Sequence, residues 1–303
     1  KEVLFDRVAL IGAGLIGSSL ARVIRREHLA NHIVAHSRRS KTRTRLQELG
    51  IVDTVAGDVE TAVKGADLIV ISVPVGASGD VAEKIGPHLK SGVVVTDTGS
   101  VKESVIRAMS PYLPDTAHFV PGHPIAGTEN SGPDAGFASL FEGRWCILTP
   151  SAGTNQKAVD KITQLWKAAG SKVDQMSAEH HDMVLAITSH IPHLIAFNIV
   201  GTVADLEDDT KMEAVKYAAG GFRDFTRIAA SDPEMWRDVF MENREAVLEM
   251  LGRFSEDLSA LQRAIRWNDG DALFSLFTRT RAIRRSIIEQ GQDDAKPDFG
   301  RAH

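Results

Sequence analysis

The sequence predicts an α/β fold: a parallel sheet flanked by helices in the first part of the chain, then an all-helical part. Three observations predict it. The apolar run Val8-Ala9-Leu10-Ile11 leads directly into Gly12-Ala13-Gly14-Leu15-Ile16-Gly17 and then into an apolar helical stripe from Ser18. Strand-like and helical segments alternate to about residue 176. From Ser177 to about Gln290 almost only helical periodicity remains.

Taken in order, Val8–Ile11 reads as a short buried strand, because a parallel strand is covered on both faces and shows a continuous apolar run. The glycine pattern that follows is informative only in this strand–turn–helix setting. Its first glycine permits a tight turn, the second lets backbone approach a pyrophosphate, and the third lets helix and strand pack closely. The free N–H groups at the helix start complete an anion site. The N-terminal part is therefore expected to be a Rossmann-type dinucleotide-binding domain. Its cofactor residues are Gly12, Gly14, Leu15, Ile16 and Gly17, joined by Val73 and Pro74 at a later strand end.

Further strands are expected at His32–His36, Leu68–Val73, Val93–Asp97, His118–Pro121 and Trp145–Leu148, with helices at Thr42–Leu49, Ala77–Leu89 and Lys102–Met109 between them. This alternation predicts a parallel sheet with helices on both faces. Ala158–Ala169 is a further amphipathic helix, and Lys172–Met176 a last strand. The expected helices beyond are Ala178–Leu206, Met212–Ala219, Glu234–Ala264 and Ala272–Ile288. Ser231-Asp-Pro-Glu234 has the spacing of a capping box, with Ser231 as N-cap. The domains are then 1–176 for nucleotide binding, 177–290 for a helical substrate and dimerisation domain, and 291–303 for a frayed polar tail. Long apolar helices of this kind commonly bury a face against a second subunit, so a homodimer is expected.

Composition excludes several classes. The chain has 303 residues, 43% hydrophobic and 25% charged, with a net charge of −5, so no basic field points to nucleic acid or an acidic membrane. Cys146 is the single cysteine, which rules out disulfides within the chain and fits a cytoplasmic setting. It stands in a strand-like run and reads as a buried apolar group rather than a nucleophile. No stretch is expected to span a membrane, and no signal-peptide pattern opens the sequence.

An acidic residue about 20 positions past the glycines receives the adenosine ribose in NAD enzymes. Here Ser37 stands at that place, followed by Arg38 and Arg39. A serine beside arginines suits a 2′-phosphate, and one charge-assisted contact contributes about 1.5–3 kcal/mol. The cofactor is NADP or NAD, with NADP favoured; a plain solvated basic loop is the other reading of the same residues.

Ligands in open α/β sheets gather at the carboxyl ends of strands, where three segments stand out. In Asp97-Thr-Gly-Ser-Val-Lys-Glu103, Ser100 has Glu103 at capping-box spacing, and a capping serine can still face a cleft. In Pro121-Gly-His-Pro-Ile-Ala-Gly-Thr128, His123 is held between glycine and proline at a strand's exit, a suitable place for acid–base work near neutrality. In Thr188-Ser-His-Ile-Pro-His193, His190 and His193 share a helix face, and Pro192 would bend that helix. Packing between domains is the alternative for these two histidines, and no further ligands accompany them to form a metal site. Beyond them, Arg223 and Arg227 lie four apart, a spacing that serves either a substrate carboxylate or a surface ion pair.

Taken in order, GAGLIGSSLAR, DTGSVK, GHPIAGTE, SHIPH and GGFRDFTRIAASDPEMW resemble the prephenate/arogenate (cyclohexadienyl) dehydrogenase family of tyrosine biosynthesis, over roughly residues 5 to 290. The resemblance implies oxidative decarboxylation of prephenate and/or arogenate with hydride transfer to NAD(P)⁺. It implies His123 as the catalytic histidine and Ser100 as its helper. Arg227 would bind a substrate carboxylate, and His193, His190, Thr128 and Trp236 would line the substrate pocket. No chorismate-mutase region is expected before the matched segments and no ACT domain after them, so any feedback by tyrosine is expected to act at or near the active site. The competing readings are a 3-hydroxyacid or imine-type dehydrogenase of the same plan, which would use a lysine in the helical half, and a nucleotide-sensing protein without activity.

Overall fold

The computed structural model describes residues 3–128, 130–207, 210, 213, 216–218 and 220–289. The expected tail at 291–303 lies outside the described residues, as does much of the expected helix Met212–Ala219. Contacts divide the chain into two compact units, one within Lys1–Val247 and one within Leu248–His303.

The first unit opens with strand β1 (Phe5–Ile11), helix α1 (Leu15–Glu27), β2 (Ala30–His36), α2 (Ser40–Leu49), β3 (Thr54–Val55), α3 (Val59–Val63), β4 (Leu68–Ile71), α4 (Ser78–Ile85), β5 (Val94–Asp97), α5 (Glu103–Met109) and β6 (His118–Val120). All six strands are parallel, in the order β3-β2-β1-β4-β5-β6. This is the doubly wound order whose switch point falls between β1 and β4. Two buried clusters sandwich the sheet: Val8, Leu10, Leu68 and Val70 face one side with Trp166 and Phe141, while Ala9, Ile11, Ile69 and Ile71 face the other. Alternate side chains of one strand thus enter opposite layers, which is why the strands read as unbroken apolar runs.

The expected strand His118–Pro121 divides. Pro121 has no N–H to continue the ladder, and the chain passes through it into β7 (Gly122–Pro124), which joins a second sheet. That sheet corrects the expectation that Trp145–Leu148 and the last strand extend the parallel one. Strand β8 (Trp145–Leu148) runs antiparallel to β7, and β9 (Lys172–Gln175) parallel to β8, after helix α6 (Gln156–Ala168). Strand β3 and helix α3 were not foreseen: two residues and five residues are too short for periodicity to register.

Ala178–Ala204 is one helical run made of α7 (Ala178–Leu185), a π-turn at Ala186–His190 and α8 (Ile191–Ala204). Pro192 explains the π-turn. A proline ring collides with the carbonyl four residues earlier, and widening the preceding turn, with the Ile191 N–H donating to Ala186 O, removes the conflict. Contrary to the sequence expectation, this run is long and apolar enough to cross a membrane by length and composition, with a window of mean hydropathy 1.6. Its first half is instead tied into the unit by buried His181, Asp182 and His190.

Helix α9 (Gly220–Thr226), a 3₁₀ turn at Arg227–Ala230 and α10 (Pro233–Glu242) complete the first unit. The N-cap of α10 is Asp232, whose carboxylate accepts from Met235 N (2.9 Å), and not the expected Ser231. With Pro233 at N1, the cap falls one residue later. The expected helix Glu234–Ala264 breaks at Asn243, and α11 (Arg244–Arg266) follows. In the second unit, α11 and α12 (Gly270–Glu289) carry exposed Leu258, Ile265, Phe274, Phe277 and Ile283.

Candidate active site

The carboxyl edge at the β1/β4 switch point carries the glycine turn. Gly12 has φ +93°, and a Cβ there would drive into the Ser72 carbonyl just past β4. A Cβ on Gly17 would meet the Gly12 carbonyl, whereas Gly14 faces open space. The two outer glycines are therefore demanded by the protein's own packing, and the middle one leaves room for a ligand. Gly14 is the N-cap of α1 in extended conformation with no side-chain cap, and the first turn holds no acidic residue. A 13-residue helix thus presents uncapped N–H groups to that space, which fits a pyrophosphate. Val73 and Pro74 follow Ser72 on the same edge. Ser37 leaves β2 half-buried, and the Arg43 guanidinium fastens this turn by donating to Ser37 O (2.7 Å) and Arg38 O (3.0 Å). Arg38 and Arg39 are exposed and join no ion pair among the described residues.

Two strands further along, Asp97 ends β5 in a buried network. Its carboxylate accepts from Gly99 N (2.8 Å), Gly122 N (3.2 Å) and the ammonium of Lys102, which is fully buried and also donates to Gly122 O (2.6 Å). Ser100 lies between them, half-buried in the bend before α5. It is not the N-cap that its spacing suggested. Helix α5 begins at Glu103, and its first N–H groups are capped from α7: Asp182 accepts from Lys102 N (2.8 Å) and Glu103 N (2.9 Å). A carboxylate 80 positions away does what a local serine was expected to do.

His123 sits in β7 opposite Ile147, buried. Its Nδ1 is 2.8 Å from His181 Nε2, and His181 Nδ1 is 2.8 Å from Asp182 Oδ1. Burial pushes the His123 pKa well below the ordinary histidine value, with His181, Lys102 and His190 acting the same way. Burial likewise lowers His181, against the pull of Asp182. His123 is thus neutral and ready to accept a proton.

His190 is fully buried in the π-turn. Its Nδ1 meets the Asn243 amide at 3.1 Å, and that amide, at the residue where α10 ends, also donates to Asp182 O (2.9 Å). Burial lowers the His190 pKa to about 4. His193, half-buried, donates from Nδ1 to Ser189 O (2.8 Å) and stacks on Trp236 at 3.7 Å between ring centroids. Its pKa is lowered, by burial first and by Arg227 in addition. Trp236 is also edge-on to His190 at 6.0 Å, and α10 packs on the 3₁₀ turn Val75–Ala77 that follows Pro74. His190, His193, Trp236 and Arg227 are therefore gathered, with Arg227 exposed at the start of its turn. Thr128 stands apart on an exposed loop, its hydroxyl accepting from Asn130 N (3.2 Å).

Sequence reasoning missed Lys102, His181, Asp182 and Asn243. Lys102 reads in sequence as part of the helical pattern Lys102–Met109, and nothing local marks its pairing with Asp97. His181-Asp182 lay in view within Ser177-Ala-Glu-His-His-Asp182, hidden in an amphipathic stripe. Cys146 is buried in β8 as expected, and burial raises its thiol pKa. Together the edge offers an anion cradle, a neutral buried histidine and an exposed arginine beside stacked aromatics. These parts suit removal of a proton from an anionic small molecule held against a dinucleotide.

A family model described as "Prephenate dehydrogenase, nucleotide-binding domain" matches residues 20–175, and one described as "Prephenate dehydrogenase, dimerization domain" matches residues 177–279. The chain belongs to the prephenate dehydrogenase family. Like its family, it is an NAD(P)-dependent dehydrogenase. It is similar to a cyclohexadienyl dehydrogenase of Zymomonas mobilis, 44% identical over 94% of this chain and 97% of that protein. A Bacillus subtilis prephenate dehydrogenase is 32% identical over 97% of this chain and 79% of its own. Among solved structures, prephenate dehydrogenase from Aquifex aeolicus, in complex with hydroxyphenyl propionate and NAD⁺, superposes with a TM-score of 0.88 at 34% identity, over 95% of this chain and all of that one. Synechocystis arogenate dehydrogenase gives 0.77 at 28% identity, over 92% of this chain and 99% of that one.

Proposed function

We propose that this prephenate dehydrogenase family member oxidatively decarboxylates prephenate and/or arogenate at the edge described, with His123 as general base. Prephenate carries a 4-hydroxyl on a cyclohexadiene ring, a ring carboxylate and a pyruvyl side chain; arogenate has an alanyl side chain instead. The nicotinamide, when bound, takes hydride from C4. His123 accepts the proton of the hydroxyl at that carbon, and the C–O bond becomes a carbonyl. The ring carboxylate leaves as CO₂, its electron pair aromatises the ring to a phenolate, and the proton held by His123 returns to that oxygen to give the phenol and restore the neutral base. Ser100 hydrogen-bonds the reacting hydroxyl. Arg227 pairs with a carboxylate, and His193, His190 and Trp236 shape the pocket around the ring and side chain.

The observation that carries this reading is the buried His123 in β7, three residues past the carboxyl end of β6, in a chain whose parallel sheet bears the open Gly14 cradle at the carboxyl end of β1. A base of lowered pKa is in its active form at neutral pH. Arg38 and Arg39, exposed and outside any ion pair among the described residues, favour NADP over NAD. The cofactor residues are Gly12, Gly14, Leu15, Ile16, Gly17, Ser37, Arg38, Arg39, Val73 and Pro74. The family-model matches to residues 20–175 and 177–279 support a functional division of the sequence at 1–176 and 177–290, which differs from the division into compact units after Val247. The exposed apolar residues of α11 and α12, together with the match to a dimerization domain, support a homodimer, and the single buried thiol supports a cytoplasmic setting.

The test is formation of reduced nicotinamide by purified protein with prephenate or arogenate, each with NAD⁺ and NADP⁺. Turnover of at least one substrate, faster with NADP⁺, is expected. Silence in all four mixtures would overturn the reading.

A further inference from the structure

Two side chains stand in series behind the proposed base His123: His181, and behind it Asp182. Asp182 belongs to α7 and His123 to β7, so the series crosses from the helical segment to the strand. From the hydrogen-bond pattern we infer that Asp182 and His181 are positioning residues that fix His123 in the Nδ1–H tautomer, leaving its Nε2 lone pair free as the base. This inference rests on the reading of His123 as general base.

The proton positions follow from the donors around Asp182. Its Oδ1 accepts from Lys102 N and its Oδ2 from Glu103 N, two backbone groups that can only donate. The carboxylate is thereby oriented as an acceptor at both oxygens. His181 Nδ1, 2.8 Å from Oδ1, is the donor of that contact and carries hydrogen. A neutral His181 then has a bare Nε2, which can only accept. The atom 2.8 Å from it, His123 Nδ1, must donate. His123 is left with a bare Nε2 on the far edge of its ring. Burial, which disfavours an imidazolium at both rings, keeps the series in this neutral arrangement. The groups facing the pair from other elements are the Lys102 ammonium, with Asp97 behind it, and His190.

The series also has a mechanical consequence. The carboxylate that orients His181 is the cap of α5, so the helix following Ser100 and the base on β7 share one anchor. An isolated imidazole favours hydrogen on the other nitrogen, and so the outward lone pair depends on what His123 Nδ1 meets.

The test has two readouts. The first uses the folded wild-type protein with ¹⁵N-labelled histidine, whose ring nitrogens report by NMR which of them bears hydrogen. His123 is expected with a protonated Nδ1 and a bare Nε2, in the presence or absence of cofactor. A protonated Nε2, or a mixture of tautomers, overturns the inference even if the enzyme is fully active. The second readout is kinetic. His181→Leu removes the acceptor while leaving the Asp182 cap on α5, and is expected to lower kcat at least tenfold with KM within about twofold. His181→Gln, whose carbonyl can accept from His123 Nδ1, should recover a large part of kcat. A His181→Leu enzyme with unaltered kcat, or a His181→Gln enzyme no better than His181→Leu, contradicts the positioning role. Should His181→Leu not fold, the wild-type spectrum and His181→Gln decide.

Discussion

Lys102 buries its ammonium against the Asp97 carboxylate and the Gly122 carbonyl, so a single side chain ties the end of β5 to the start of α5 and to the strand that carries His123. Removing one partner of such a pair leaves the other charge buried and uncompensated, at a cost of about 3–5 kcal/mol. Lys102→Met should lower the free energy of unfolding by that amount, measured in urea. The double variant Asp97→Asn/Lys102→Met should be more stable than Lys102→Met alone, because no charge is then left unpaired. A loss below about 1 kcal/mol for Lys102→Met would mean that water reaches the pair.

The glycine turn separates folding from binding. Gly17→Ala places a methyl against the Gly12 carbonyl and should destabilise the protein by more than about 1 kcal/mol. Gly14→Ala meets nothing, so its thermal midpoint should stay close to wild type while its dissociation constant for the dinucleotide rises at least tenfold. Calorimetric titration and thermal melts of both variants check this. Equal loss of stability in the two would contradict it.

Buried histidines make stability depend on pH in a definite direction. His190 has its pKa lowered to about 4 against an ordinary 6.5, and His123 and His181 are lowered too. Below pH 6.5 the unfolded chain takes up protons that the folded one refuses. Stability is therefore complete above about pH 6.5 and falls as pH drops toward 4, with His190 alone contributing on the order of 3 kcal/mol. Glu103, raised by burial and by Asp182, works mildly against this trend, and the depressed carboxylates Asp53 and Asp67 act only below about 3.8. Urea midpoints at pH 7.5 and pH 5 should differ accordingly. A flat profile would show that these rings protonate without unfolding.

Arg227 is exposed, and its role is expected to lie in binding rather than in folding. Arg227→Ala should raise KM for the substrate about tenfold or more, through loss of a charge-assisted contact, with little change in the thermal midpoint. An unchanged KM would shift the carboxylate site to Arg223.

The sequence carried the fold where its signals are local. Val8–Ile11, the glycine turn and the alternation up to β5 are fixed by burial on two faces and by backbone sterics, and both leave marks in a short window. What escaped it depends on distant partners. Pro121 diverts the chain into a second sheet, and no window around Trp145 shows that β8 pairs antiparallel with β7. Ser100 has the spacing of a cap, yet the cap of α5 comes from Asp182. The site divides in the same way. His123, His190, His193 and Arg227 stand in conspicuous settings of glycine, proline or repeated charge. Lys102, His181 and Asn243 look like ordinary helix residues until the fold places Asp97, His123 and His190 beside them.

The central claim, that His123 takes the proton as hydride leaves, is tested most directly by kcat of His123→Asn with the substrate and cofactor that the wild-type enzyme prefers. A decrease of a hundredfold or more, with dinucleotide affinity unchanged, is the predicted result. Near-wild-type turnover by that variant would contradict the account.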